Sequence, residues 1–206
     1  ILTIAFIISL SVYFQKPTPL YLKLFPVYFL VALGVGIRIE WLYKHGRYNT
    51  GVANVWGIIE FCFFFFVLRE IIVNVKIKRI ISFVSIVFAL FAFINIFFIQ
   101  QNVGFNPVNF TIGCFITVSA CIYYFIELFQ KTETQSLSRL PAFWIAFAIL
   151  FNTILCFPTY ALITFLHMST KVNEASEYIN NITILLTDLL FVIGFLCRSR
   201  IRKSAL

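Results

Sequence analysis

The chain has 206 residues, of which 61% are hydrophobic and 12% charged, with a formal net charge of +8 and a mean hydropathy of +0.96. A soluble domain carries roughly 25% charged residues, so this chain has too little polar surface to be wetted on all sides. Its apolar runs recur along the whole length, which predicts an all-α polytopic membrane protein with the lipid bilayer as its first partner.

Seven apolar segments follow in chain order, at 1–14, 20–38, 52–73, 80–99, 108–129, 141–167 and 178–197, and together they make 1–206 a single transmembrane bundle. The connections are too short to hold a folded domain outside the membrane. The first segment would be roughly 21 Å long, short of a ~30 Å hydrocarbon core. The chain begins on Ile1 rather than Met. Either a few residues precede it, or helix 1 continues past Lys16 toward Leu24 despite Pro17 and Pro19; a cleaved signal peptide is a third option with nothing to support it. Segment 141–167 is longer than a span needs, and Pro158 is expected to kink it.

Basic residues set the orientation. Lys16, Lys23, Arg69, Lys76, Lys78, Arg79, Lys131, Arg139, Arg198, Arg200, Arg202 and Lys203 fall on one side, and only Arg38, Lys44, Arg47 and Lys171 on the other. Positive residues collect in cytoplasmic loops, which predicts N-terminus out and C-terminus in. The uncharged loop QQNVGFNP and the aromatics Trp41, Tyr43, Tyr48 and Trp56 suit the outer face. The positive charge is thus topological, the tail RSRIRK being a topology signal and anionic-lipid contact, and no nucleic-acid partner is expected.

An internal duplication is suggested by Phe14-Gln15-Lys16 with Pro26 twelve residues after Phe14, and Phe129-Gln130-Lys131 with Pro141 at the same spacing. Segments 3 and 7 then each carry an Asn followed by an acid, Asn54 with Glu60 and Asn181 with Asp188. This is the pattern of a parallel 3+1+3 repeat with segment 4 as linker, an arrangement that builds substrate sites in some small transporters.

The candidate chemistry rests on these two acids. Glu60 is expected about 12 Å below the start of segment 3 and Asp188 about 15 Å into segment 7, measured from the same side. A charge at mid-bilayer is costly, so such residues face the bundle interior and find partners. Two facing acids can share a proton, which is one route to proton coupling. At about 100° per residue, Asn180, Asn181, Thr183, Thr187 and Asp188 fall on one side of segment 7 with Gly194. Asn54, Asn95 and Asn152, with Thr153, are expected to close a polar cluster around the acids. The bland alternative is that each acid only hydrogen-bonds a neighbouring helix.

Other polar residues read as structural. Glu127 is at helical spacing from Lys131 and is expected to pair with it. Arg69 and Glu70 are interfacial, as are His45 and His167. The five cysteines, Cys62, Cys114, Cys121, Cys156 and Cys197, lie within or at the end of apolar runs without metal-ligand spacing, so neither a disulfide nor a metal site is expected. The 27 phenylalanines, dense in FCFFFFV, read as lipid-facing and interhelical filler rather than a ligand pocket. There is no Gly-rich phosphate loop, nucleophile elbow or HExxH, and segment 7 has no Lys for a retinal Schiff base. No catalytic residue or cofactor is expected.

The phrases IEFCFFFFVLREII, NIFFIQ, CIYYFIELFQK, PAFWIAFAIL and VIGFLCRS resemble, as a set and over almost the whole chain, a group of small, uncharacterised seven-helix inner-membrane proteins of bacteria. The resemblance implies a multi-pass protein of the bacterial cytoplasmic membrane and brings no activity with it. The first functional expectation is a non-enzymatic membrane protein, a receptor-like module or embedded subunit acting through a membrane-protein partner or a second copy. The second is a small solute or proton-coupled transporter using Glu60 and Asp188.

Overall fold

Within a bilayer the backbone must satisfy its own hydrogen bonds, which long apolar segments do as helices. The computed structural model describes residues 2–14, 18–99, 105–130, 137–165 and 170–203, with backbone only at 138, 159–165, 170–177 and 198–203. Among the described residues there are seven α-helices: α1 (Leu2–Tyr13), α2 (Leu20–Lys44), α3 (Thr50–Ile71), α4 (Val75–Ile94), α5 (Pro107–Gln130), α6 (Pro141–Phe165) and α7 (Thr170–Lys203). A π-helical turn, Asn95–Ile99, continues α4, and a 3-10 turn, Leu137–Arg139, precedes α6. Six helices, α2 to α7, are long and apolar enough to cross a membrane. The twelve residues of α1 reach about 18 Å and fall short.

Several boundaries differ from the sequence expectation. Helix 1 does not run on to Leu24: α1 ends at Tyr13 and α2 starts at Leu20, after Pro19 in an extended conformation. α2 passes residue 38 and continues to Lys44, so Glu40, Trp41 and Tyr43 are helical. α4 starts at Val75 rather than at 80, because Asn74 caps it by accepting from the backbone N–H groups of Lys76 and Ile77. α7 begins eight residues earlier than expected. In α2, α4 and α7 polar residues at a helix end stay helical where hydropathy alone marks the span as finished. Pro158 lies inside α6, and the helix continues beyond it to Phe165.

Each helix from α2 to α7 packs on its predecessor, and α7 returns to α1. The central element is α3, which touches α2, α4, α5 and α6. Consecutive helices pack together in both halves, as in any up-and-down bundle, and the 3+1+3 duplication gains no support from this.

The phenylalanines hold α3 in place. Phe25 of α2 meets Phe63 of α3 at 5.1 Å between ring centroids and Phe191 and Phe195 of α7 at 5.1 and 5.2 Å. On the opposite flank Phe61 and Phe65 of α3 meet Phe110 and Phe88 at 5.3 and 5.4 Å. Lipid is as apolar as these rings, so the gain is close packing and edge-to-face geometry rather than removal from water. The α3–α5 crossing depends on Gly113, where a Cβ would lie 2.6 Å from the Phe61 ring. Outside this core, Phe83, Ile86, Leu90 and Phe98 of α4 and its π-turn stand exposed, as a lipid-facing surface requires.

Candidate functional site

Glu60 sits at the middle of α3, and its Oε1 accepts a hydrogen bond from the Tyr28 hydroxyl of α2 at 2.8 Å. The neighbours of Glu60 on its own helix set this geometry. Trp56 and Phe63, one turn to either side, stack on the Tyr28 ring at 5.6 Å and 4.5 Å, the latter within 7° of parallel. The ring has little freedom left, and its hydroxyl lands on the carboxylate. Asp188, 6% exposed, projects from the middle of the apolar stretch Tyr178–Cys197. It is close enough for its charge to act on both Glu60 and Tyr28. Tyr28 bonds Glu60 directly, whereas Asp188 interacts with the pair through longer-range charge and, among the described residues, hydrogen-bonds neither.

The asparagines expected to surround them are elsewhere, in two separate groups. The first lies where α3 and α5 begin and α4 ends. Asn95, carried inward by the π-turn, donates through Nδ2 to the Oδ1 atoms of Asn106 and Asn109, at 3.2 and 2.8 Å. Asn54 Oδ1 accepts from the Asn106 backbone N–H at 3.0 Å. Asn109 Nδ2 donates to the Ala92 carbonyl of α4 at 3.1 Å. Asn106 also caps α5, its Oδ1 accepting from the Asn109 N–H at 3.0 Å, with Pro107 at the first helical position where a missing N–H costs nothing. All four asparagines are buried. Beside them is a cavity of about 20 Å³ lined by Asn54, Gly57, Phe61, Phe88, Asn106 and Asn109, among others. Among the described residues the buried Asn106 Nδ2 has no hydrogen-bond partner.

The second group joins α6 to α7. Cys156 Sγ donates toward Asn152 Oδ1 at 3.5 Å and Asn180 Oδ1 at 3.4 Å. Asn180 therefore takes the interior position expected of it, whereas Asn181, expected on the same side, is exposed. Thr187, Thr183 and Thr153 are buried, but their hydroxyls bond back to carbonyls four residues earlier, at 2.7 to 2.8 Å. They are satisfied by their own helices and offer no free donor to the acids.

Three further residues escaped the sequence reading. Tyr28 is indistinguishable from filler in a Phe-rich helix. Asn106 and Asn109 were legible, since Asn-Pro with a second Asn at the third helical position is an N-cap signature. Glu127 was read from the sequence, but for a different partner. Its expected partner Lys131 lies outside the described residues, and its carboxylate accepts the backbone N–H groups of Val73 and Asn74 at 2.7 and 2.8 Å, tying α5 to the α3–α4 turn. Arg69 pairs with Glu70 at 2.6 Å, and His45 stacks on Trp41 with centroids 4.3 Å apart; His167 lies outside the described residues.

No known protein family, curated protein or solved structure matches this chain. The site is therefore read from its geometry.

Proposed function

We propose that the chain is a seven-helix, non-enzymatic integral membrane protein, N-terminus out and C-terminus in, that couples the binding and release of a proton at Glu60 and Asp188 to movement of a small solute. The observation that carries the reading is the hydrogen bond from Tyr28 to Glu60 on the central helix, with Asp188 in electrostatic reach. Two acids in one membrane interior are costly, and holding them beside a neutral donor suits groups that change protonation state. The excess of basic residues on one side supports the orientation. A pH jump applied to proteoliposomes on a solid-supported membrane tests the idea without knowledge of the solute. Wild type is expected to give a transient charge displacement that Glu60→Gln and Asp188→Asn each diminish. An undiminished transient in the double variant refutes the reading.

One observation favours the alternative of a receptor-like module or embedded subunit. Asn181 stands exposed on α7 within the apolar stretch Tyr178–Cys197, where an amide is available to hydrogen-bond a partner helix or a second copy. On that reading Asn181→Leu lowers association in native membranes and leaves the pH-jump transient unchanged.

A further inference from the structure

We propose that the end of α2 carries a binding site for the phosphate of an anionic lipid headgroup, built from Arg38, Trp41 and Arg47. The site is independent of the central acids and has its own structural basis. The 25 residues of α2 extend roughly 37 Å, about 7 Å more than the ~30 Å hydrocarbon core. Trp41 is 40% exposed and Tyr43 74%, the pattern of aromatic side chains at the headgroup level.

Two guanidiniums lie over the same indole: Arg38 Cζ is 4.7 Å and Arg47 Cζ 5.8 Å from the Trp41 ring centroid. Arg38 reaches it from one turn earlier on the helix. Arg47 reaches it because the chain reverses after α2. Gly46 adopts φ 64°, its N–H donates to the Tyr43 carbonyl at 3.0 Å, and the Arg47 N–H donates to the Leu42 carbonyl at 2.9 Å. This is the hydrogen-bonded left-handed termination that glycine makes at a helix end. The His45 ring also stacks on Trp41, and its Nδ1 is 2.8 Å from the Trp41 carbonyl oxygen.

A guanidinium held over an aromatic ring keeps its in-plane N–H donors for a phosphate, which it binds in bidentate fashion. The local acid does not compete for them: Glu40 pairs with Lys44 at 3.0 Å, and among the described residues neither arginine has a carboxylate partner. The placement also runs against the topological charge bias. Arg38, Lys44 and Arg47 are three of the four basic residues on their side, the fourth being Lys171, and they fall within ten positions of one another.

The test uses the full chain in nanodiscs of mixed phosphatidylglycerol and phosphatidylcholine, with bound lipid read by native mass spectrometry after mild detergent release. Wild type is expected to retain phosphatidylglycerol over phosphatidylcholine, and each arginine removed weakens that retention about fivefold. The double variant Arg38→Gln, Arg47→Gln then loses the preference. Gly46→Ala changes no charge and its methyl meets no atom within 4 Å, but it strains the turn and is expected to weaken retention as well. The paired variant Glu40→Gln, Lys44→Gln removes the neighbouring ion pair without freeing its acid and leaves the preference in place. Unchanged retention in the double arginine variant overturns the proposal. Displacement of phosphatidylglycerol by inorganic phosphate assigns the site to a soluble phosphate and overturns the lipid assignment.

Discussion

Tyr28→Phe isolates the contact on which the functional reading depends. The substitution removes one oxygen and keeps the ring, whose stacking on Phe63 and Trp56 holds the phenyl group in place. The loss is therefore the 2.8 Å bond to Glu60. Hydrogen bonds between helices in a bilayer average about 0.6 kcal/mol and reach about 1.7, whereas a bond to a charged group contributes about 1.5–3 kcal/mol. A double-mutant cycle with Glu60→Leu is expected to give a coupling of about 1 kcal/mol, read from reversible unfolding in mixed micelles. Glu60→Gln keeps an acceptor and should retain most of that coupling. Additivity of Tyr28→Phe and Glu60→Leu within about 0.5 kcal/mol refutes the argument, because Tyr28 would then not sense the carboxylate.

Three other outcomes are expected. Gly113→Ala drives a methyl into the Phe61 ring at 2.6 Å, and that ring is confined by Phe88 and Phe110. It should destabilise by about 1–3 kcal/mol and be partly rescued by Phe61→Leu, both read as shifts in melting temperature. Glu127→Ala frees the N–H groups of Val73 and Asn74, so amide exchange at those two positions should accelerate while the core of α3 stays protected; unchanged exchange excludes the tie. The proposed orientation predicts that a cysteine replacing Tyr48, 92% exposed, reacts with an impermeant maleimide added outside intact cells. A cysteine at Val75, 60% exposed, reacts only after permeabilisation, and the reverse pattern inverts the topology.

The helical architecture was legible because long apolar runs admit one backbone solution in lipid. The ends were less so. Glu40, Lys44, Lys76 and Lys78 look like loop residues on a hydropathy scale, but they lie on helices. The interior face of α7 was read correctly at Asn180, Thr183, Thr187 and Asp188, and Asn181 alone departs from it. A helical wheel gives Asn180 and Asn181 as neighbours about 100° apart, and only the packing of α6, through Cys156, shows that Asn180 faces inward. Asn95 was anticipated as an interior residue, but its partners were not. The π-turn that brings it to Asn106 and Asn109 is a local change of helical phase that a fixed period does not describe. Tyr28 was invisible for another reason: what distinguishes it from nearby aromatic residues is a partner 32 positions away.

The bundle treats its polar groups unequally. Thr117, Thr153, Thr183 and Thr187 return their hydroxyls to their own helices. The asparagines of α3, α4 and α5 bond mainly to one another. Glu127 shows how this chain uses an acid for structure, with both carboxylate oxygens committed to backbone N–H groups. Glu60 differs: one oxygen accepts from Tyr28, and among the described residues the other takes no hydrogen bond. Glu60 is part-buried, and its second oxygen is not among the buried atoms that lack a partner, so it stays accessible to a proton or a further donor. One committed and one uncommitted oxygen is compatible with the proposed proton binding, since the first fixes the side chain while the second stays accessible. By this comparison Glu60, rather than the more numerous amides, is the residue at which function should be sought.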